Sequence, residues 1–134
     1  MILGVWGRIV VEGRVLVVED NERSLKLACD VLQMRGFETI GARTGAEAVV
    51  IAASQQPALV LLDVALPDMD GVETLQALRA NPRTATIPVV AVTAFAMKGD
   101  RERLLASGFD GYVSKPIDVA TFVDDVAAHI NAPS

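Results

Sequence analysis

Three carboxylates, a hydroxyl and a lysine occupy corresponding places in this chain, each at the end of a short apolar run. Glu19-Asp20-Asn21 follow Val15–Val18, Asp63 follows Leu59–Leu62, Thr93 follows Val89–Val92, and Lys115-Pro116 come just after Tyr112-Val113. Such a set suits a divalent cation and a phosphoryl group. Mg²⁺ prefers oxygen ligands and is usually held by one or two carboxylates plus water and phosphate. Clustered carboxylates repel one another, and a bound cation relieves that repulsion. An aspartate can also act as a nucleophile and become an aspartyl-phosphate. Phosphoryl transfer depends mostly on positioning and charge neutralisation. The metal and Lys115 would neutralise the phosphoryl oxygens, while Thr93 and nearby backbone N–H groups would donate hydrogen bonds to them. Asp63 is the best nucleophile, because it stands alone between the acidic pair and the Thr93/Lys115 pair in strand order.

Each residue taken singly has an ordinary structural reading. Glu19-Asp20 could complement a helix dipole, Asp63 could start a turn before Pro67, Thr93 could cap a helix, and Lys115 could be a solvated charge. Their common placement at strand ends is what calls for one explanation, and that placement depends on the elements. Strands are expected over 14–18, 37–41, 58–62, 87–92 and 111–114. Helices are expected over 21–34, 44–54, 71–80, 94–107 and 118–130. Gly36 and Gly108 mark helix ends, Asn81-Pro82 ends another, Thr44 with Glu47 reads as a capping box, and Asp118 reads as an N-cap. The apolar run at 58–62 fits a strand buried on both faces.

Alternating βα units imply an α/β fold, a parallel sheet with helices on both faces, joined by right-handed crossovers. The order 2-1-3-4-5, one of the two common orders for doubly wound sheets, gives a (βα)5 flavodoxin-like three-layer sandwich. Its switch point, where ligands bind, lies between the first and third strands. That order brings Glu19, Asp20 and Asp63 together. Residues 14–130 form the expected domain, residues 1–13 a flexible N-terminal extension without a slot in it, and residues 131–134 a short tail.

Composition narrows the function classes. At 134 residues the chain is one domain with room for a core. Half its residues are hydrophobic but few are aromatic, so Val, Leu, Ile and Ala must fill the interior. The net charge of −5 and the lack of a basic cluster disfavour nucleic acid. The single Cys29 excludes an internal disulfide and fits a reducing, cytoplasmic compartment. No apolar run is long enough for membrane insertion, and Met1–Gly7 does not read as a signal peptide.

Four motifs carry a resemblance. VLVVEDN at 15–21, LVLLDVALPDMDG at 59–71, IPVVAVTAFAMKGDRE at 87–102 and GFDGYVSKPI at 108–117 resemble the receiver domains of two-component response regulators, of the CheY-like superfamily. The resemblance implies a phosphorelay switch that takes a phosphoryl group from a histidine kinase or a histidine phosphotransfer protein. It implies that Asp63 is the phosphoacceptor. Asp20 would be a direct ligand of Mg²⁺, or of Mn²⁺ as the alternative, with Glu19 acting partly through water and the Ala65 main-chain carbonyl completing the set. Thr93 and Lys115 would be the phosphate-sensing pair, Tyr112 the aromatic that changes rotamer, and the bond before Pro116 cis. The protein itself would not be an enzyme, beyond assisting its own phosphotransfer and a slow self-dephosphorylation. A downstream protein target would bind the surface made by the fourth helix, fifth strand and fifth helix, on a monomer or weak dimer.

Two other readings compete. One is a receiver separated from a hybrid histidine kinase or larger regulator. The other is a metal-dependent phosphatase with an aspartate nucleophile. Turnover would need an acid/base group near Asp63, whereas the positions two after Asp63 and two after Thr93 are Ala65 and Phe95, neither able to activate water. His129 lies far along the chain and reads as a surface residue. In the first helix, Leu27, Ala28, Val31 and Leu32 are expected to form the inward stripe. Leu25 and Cys29 would then share a ridge at its side, either half-buried or serving as the docking surface for the phosphodonor.

Overall fold

The computed structural model describes residues 13–66, 70–94, 98–115 and 117–131. Strands and helices alternate. They are β1 (Arg14–Val18), α1 (Glu22–Met34), β2 (Glu38–Ala42), α2 (Gly45–Gln55), β3 (Leu59–Asp63), α3 (Gly71–Ala80), β4 (Val89–Thr93), α4 (Lys98–Ala106), β5 (Gly111–Ser114) and α5 (Val119–Asn131). All strand pairs are parallel, in the order β2-β1-β3-β4-β5. The expected (βα)5 sheet is therefore present, with strand limits shifted by no more than two residues.

Burial follows the order. β3 and β4 are buried at every residue and β1 at all but Arg14, whereas the edge strand β5 alternates and the other edge strand, β2, is buried only at Ala42. Because side chains alternate across a strand, two cores form. Val15, Val17, Leu59, Leu61, Val90 and Val92 pack beneath α1 and α5, against Leu32, Phe122 and Val126. Leu16, Val18, Val60, Leu62, Val89 and Ala91 pack on the other face, against Ala48, Leu75, Leu78 and Leu104. Burying each such leucine contributes about 1.5–3 kcal/mol, and apolar cover on both faces leaves the strand ends as the place for polar groups.

The local signals hold with two corrections. Gly36 and Gly108 have φ of +96° and +109°, the left-handed conformation that ends a helix. Thr44 caps α2 by accepting from the Glu47 N–H at 3.1 Å, but Glu47 reaches back to the Arg43 N–H, one residue early for a capping box. The full box belongs to α3, where Asp70 and Glu73 exchange bonds. Asp118 caps α5 through the Ala120 N–H at 3.0 Å.

The second correction concerns α1. Leu27 is 44% exposed, while Ala28, Val31 and Leu32 are buried. Leu25 and Cys29 are half-buried against the core, and Leu25 lies so close over β2 that a Cβ on Gly41 would sit 3.3 Å from it. The inward face is thus centred on 25, 28, 29 and 32, the i, i+3, i+4, i+7 pattern. At roughly 100° per residue Leu27 is about 160° round from Leu25.

Candidate functional site

The alternation that builds the cores also distributes the polar residues. It turns Asp63, the last residue of β3, and Glu19 and Lys115, each one step past its strand, toward the face covered by α1 and α5. Thr93 lies on the opposite face with Ala91 and, across the β4–β5 pairing, Tyr112. Backbone bonds extend the sheet just far enough to hold these residues. The Glu19 N–H donates to the Ala42 carbonyl at 2.9 Å, and the Lys115 N–H to the Thr93 carbonyl at 2.8 Å.

Lys115 Nζ lies 2.7 Å from Glu19 Oε1 and 2.9 Å from Asp63 Oδ2. The remaining carboxylate oxygens are also held. Glu19 Oε2 accepts from the Asn21 N–H, and Asp63 Oδ1 from the Ala65 N–H, both at 3.0 Å. Glu19, Asp63 and Thr93 are buried, at 5%, 4% and 2% exposure. Asp20 is half-buried beside them, and Glu19, Asp20 and Asp63 each place one carboxylate oxygen within 4.8 Å of the others. Three hard oxygen donors at that spacing fit a divalent cation.

Electrostatics match the geometry. Burial pushes the Glu19 carboxyl above its ordinary value, and the Asp63 charge adds to this, while bonds from Lys115 and the Asn21 N–H oppose it incompletely. Burial pulls the Lys115 ammonium down, but its bonds to Glu19 and Asp63 and their charges outweigh this and leave it raised. Lys115 is therefore a firmly charged cation lying between two acids.

Glu19, Asp20, Asp63 and Lys115 thus meet, Thr93 is tied to them through its main-chain carbonyl, which accepts from the Lys115 N–H, and exposed Ala65 lies two residues after Asp63. Pro116 and Phe95 lie outside the described residues. His129 is away from the site. Its ring packs on Gly111 at the start of β5, and its Nδ1 is 2.8 Å from the Asp125 carbonyl, so it is half-buried rather than a free surface residue. The sequence reading missed two features. Arg43 Nη2 donates to the Asp20 carbonyl at 2.9 Å, pinning the acidic loop from β2's end. Leu27, Ser24, Ala94 and Ile117 border a recess that opens beside Glu19 and Lys115. No periodic signal marks Arg43, and the expected stripe places Leu27 inward, whereas it is exposed.

The chain is similar to known proteins in sequence and fold. Residues 15–127 match the response regulator receiver domain. The polar-differentiation response regulator DivK of Brucella ovis is 43% identical over 116 residues, which is 87% of this chain and 94% of that protein. A Vibrio cholerae chemotaxis response regulator superposes with a TM-score of 0.81 at 25% identity, covering 87% of this chain and 97% of its own. The receiver domain of a sensor histidine kinase from Pseudomonas aeruginosa superposes with a TM-score of 0.81 at 30% identity, covering 90% and 98%, and it holds a magnesium ion in its active-site cleft.

Proposed function

This chain belongs to the response regulator receiver domain family, and from that premise we propose that Asp63 is where it accepts its phosphoryl group. As a receiver similar to DivK, it is a switch in phosphorelay signalling. The observation that carries the assignment to Asp63 is the Lys115 ammonium held at once by Glu19 and Asp63, with Asp20 alongside.

The transfer is written as follows. A carboxylate oxygen of Asp63 attacks the phosphorus of a phosphohistidine. The new P–O bond forms as the P–N bond breaks, and the imidazole leaves with the electron pair and then takes up a proton. Lys115 passes from carboxylate to phosphoryl oxygen, and Thr93 donates its hydroxyl to another. Asp20, Asp63, the Ala65 carbonyl and Glu19, the last partly through water, would hold Mg²⁺ or Mn²⁺. That cation would supply further neutralisation of the phosphoryl charge. Glu19 and Asp63 already sit with Lys115 between them, so the acids are preorganised before any ligand arrives.

A phosphatase reading lacks support at position 65, where a methyl group can neither accept nor donate a proton. We assign the donor to a histidine kinase or phosphotransfer protein. Leu27, exposed at the rim of the recess, supports docking there, and Leu25 and Cys29 brace the helix from beneath. The downstream target would take the surface of α4, β5 and α5. A groove of about 540 Å³ runs along β5 there, between Leu105 and His129. No described helix is long and apolar enough to cross a membrane, and the single cysteine suits the cytoplasm.

The experiment is transfer from purified, autophosphorylated histidine kinases. At least one should lose its label to the wild-type chain and none to Asp63→Asn. Equal transfer to both would overturn the assignment.

A further inference from the structure

The side chain assigned as the switch aromatic is held at its hydroxyl end by a partner on α4. Arg101 Nη1 donates to the Tyr112 hydroxyl at 2.8 Å, and the guanidinium carbon also lies 5.7 Å from the centre of the Tyr112 ring. Arg101 is on the outer side of α4, one turn before Leu105. With Glu102 and Leu105 it lines a shallow exposed recess, and Tyr112 closes the fourth side. The ring base packs against the core beneath α3 and α4, while the hydroxyl end is turned outward to Arg101.

Tyr112 stands opposite Ala91, and Thr93 opposite Ser114, so Tyr112 and Thr93 are diagonal neighbours on one face of the sheet. For Tyr112 to move inward toward Thr93, its hydroxyl must leave Arg101. The Arg101–Tyr112 bond is made with the hydroxyl turned outward, and an inward ring would carry that hydroxyl away from it. A contact made in only one of two states biases the equilibrium between them.

We propose that Arg101 is a latch that holds Tyr112 outward and sets how strongly phosphorylation of Asp63 must act to turn the switch. This rests on the reading of Tyr112 as the switch aromatic. Removing the latch should raise the resting population of the inward state. By linkage it should tighten, by the same factor, the binding of any ligand at Asp63 that favours that state. The bond is exposed and worth little in isolation, so the expected factor is about fivefold.

The test is a titration with beryllofluoride and Mg²⁺, which mimics the phosphoryl group on an aspartate, followed by NMR of the full chain. It compares wild type, Arg101→Ala, Tyr112→Phe, the double variant and Glu102→Ala. In Arg101→Ala, resting resonances of β4, α4 and β5 should lie part-way toward their beryllofluoride positions, and half-saturation should come at about fivefold lower concentration. Tyr112→Phe should do the same, the double variant no more than either, and Glu102→Ala should match wild type. The latch is overturned if the wild-type Tyr112 ring shifts on titration while Arg101→Ala changes neither reading. It is also overturned if the two single effects add in the double variant, or if Glu102→Ala matches Arg101→Ala, since the cause would then be charge alone. If the wild-type Tyr112 ring does not shift at saturation, the switch reading itself fails and takes the latch with it.

Discussion

A single ammonium decides the resting state of this site. Lys115 sits between Glu19 and Asp63 and offsets the cost of burying two acids. Glu19 still carries a raised pKa, from burial first and from Asp63 next. The fold therefore binds the Glu19 proton more tightly than the unfolded chain does. That contribution to stability is fully present below the ordinary value of 4.5 and is lost as pH rises through the folded value. With divalent metal chelated, the melting temperature of Glu19→Gln minus that of wild type should grow from about pH 4 to about pH 7. A flat difference would mean that the ionised form of Glu19 is not disfavoured. Ala65 gives a second prediction. Its N–H orients Asp63 Oδ1, but its side chain cannot position water, so an acyl phosphate here should persist. Ala65→Asp or Ala65→Asn should shorten its lifetime about tenfold or more, read as loss of label after the donor is removed. Decay within seconds in both chains would contradict this. Strand-end placement made the acids, Thr93 and Lys115 legible in the sequence. Arg43 and Arg101 were not legible, because a long side chain reaching another element leaves no periodic trace.

At the scale of elements, close packing sets where Asp63 and its following loop can go. The Gly71 N–H donates to the Val64 carbonyl at 3.0 Å, and a Cβ on Gly71 would come 2.6 Å from the Val64 Cα. The start of α3 is therefore pressed against the residue just after Asp63. Gly71→Ala should push the two apart. It should cost about 1–3 kcal/mol of stability and slow labelling by acetyl phosphate, while Gly99→Ala, with no neighbour within 4 Å, should do neither. Denaturant melts and initial labelling rates check both, and unimpaired labelling in Gly71→Ala would show that the contact does not position the site. Element type was legible because apolar runs of strand length alternate with helical patterns between glycine and proline breaks. The inward face of α1 was not. Leu25, Leu27, Ala28, Cys29, Val31 and Leu32 fit more than one stripe, and the exposure of Leu27 with the fit of Leu25 over Gly41 decides between them.

At the scale of the molecule, the parallel order places the first and third strands side by side, and their ends carry the acids. That order was legible once five βα units were counted, because right-handed crossovers leave few alternatives. The two edge strands have separate surroundings. β2 borders the loop pinned by Arg43, and β5 carries Tyr112 and borders the groove. On the proposed reading, phosphoryl acceptance at one end of the sheet would be read on the face beyond β4, through Thr93 and Tyr112. The most direct measurement is mass-spectrometric mapping of the chain after acetyl phosphate and Mg²⁺, for wild type and Asp63→Ala. One acyl phosphate on Asp63, lost in the variant and lost when the metal is chelated, is the predicted result. Full labelling of Asp63→Ala, or a modification on any other residue of the wild type, would contradict it.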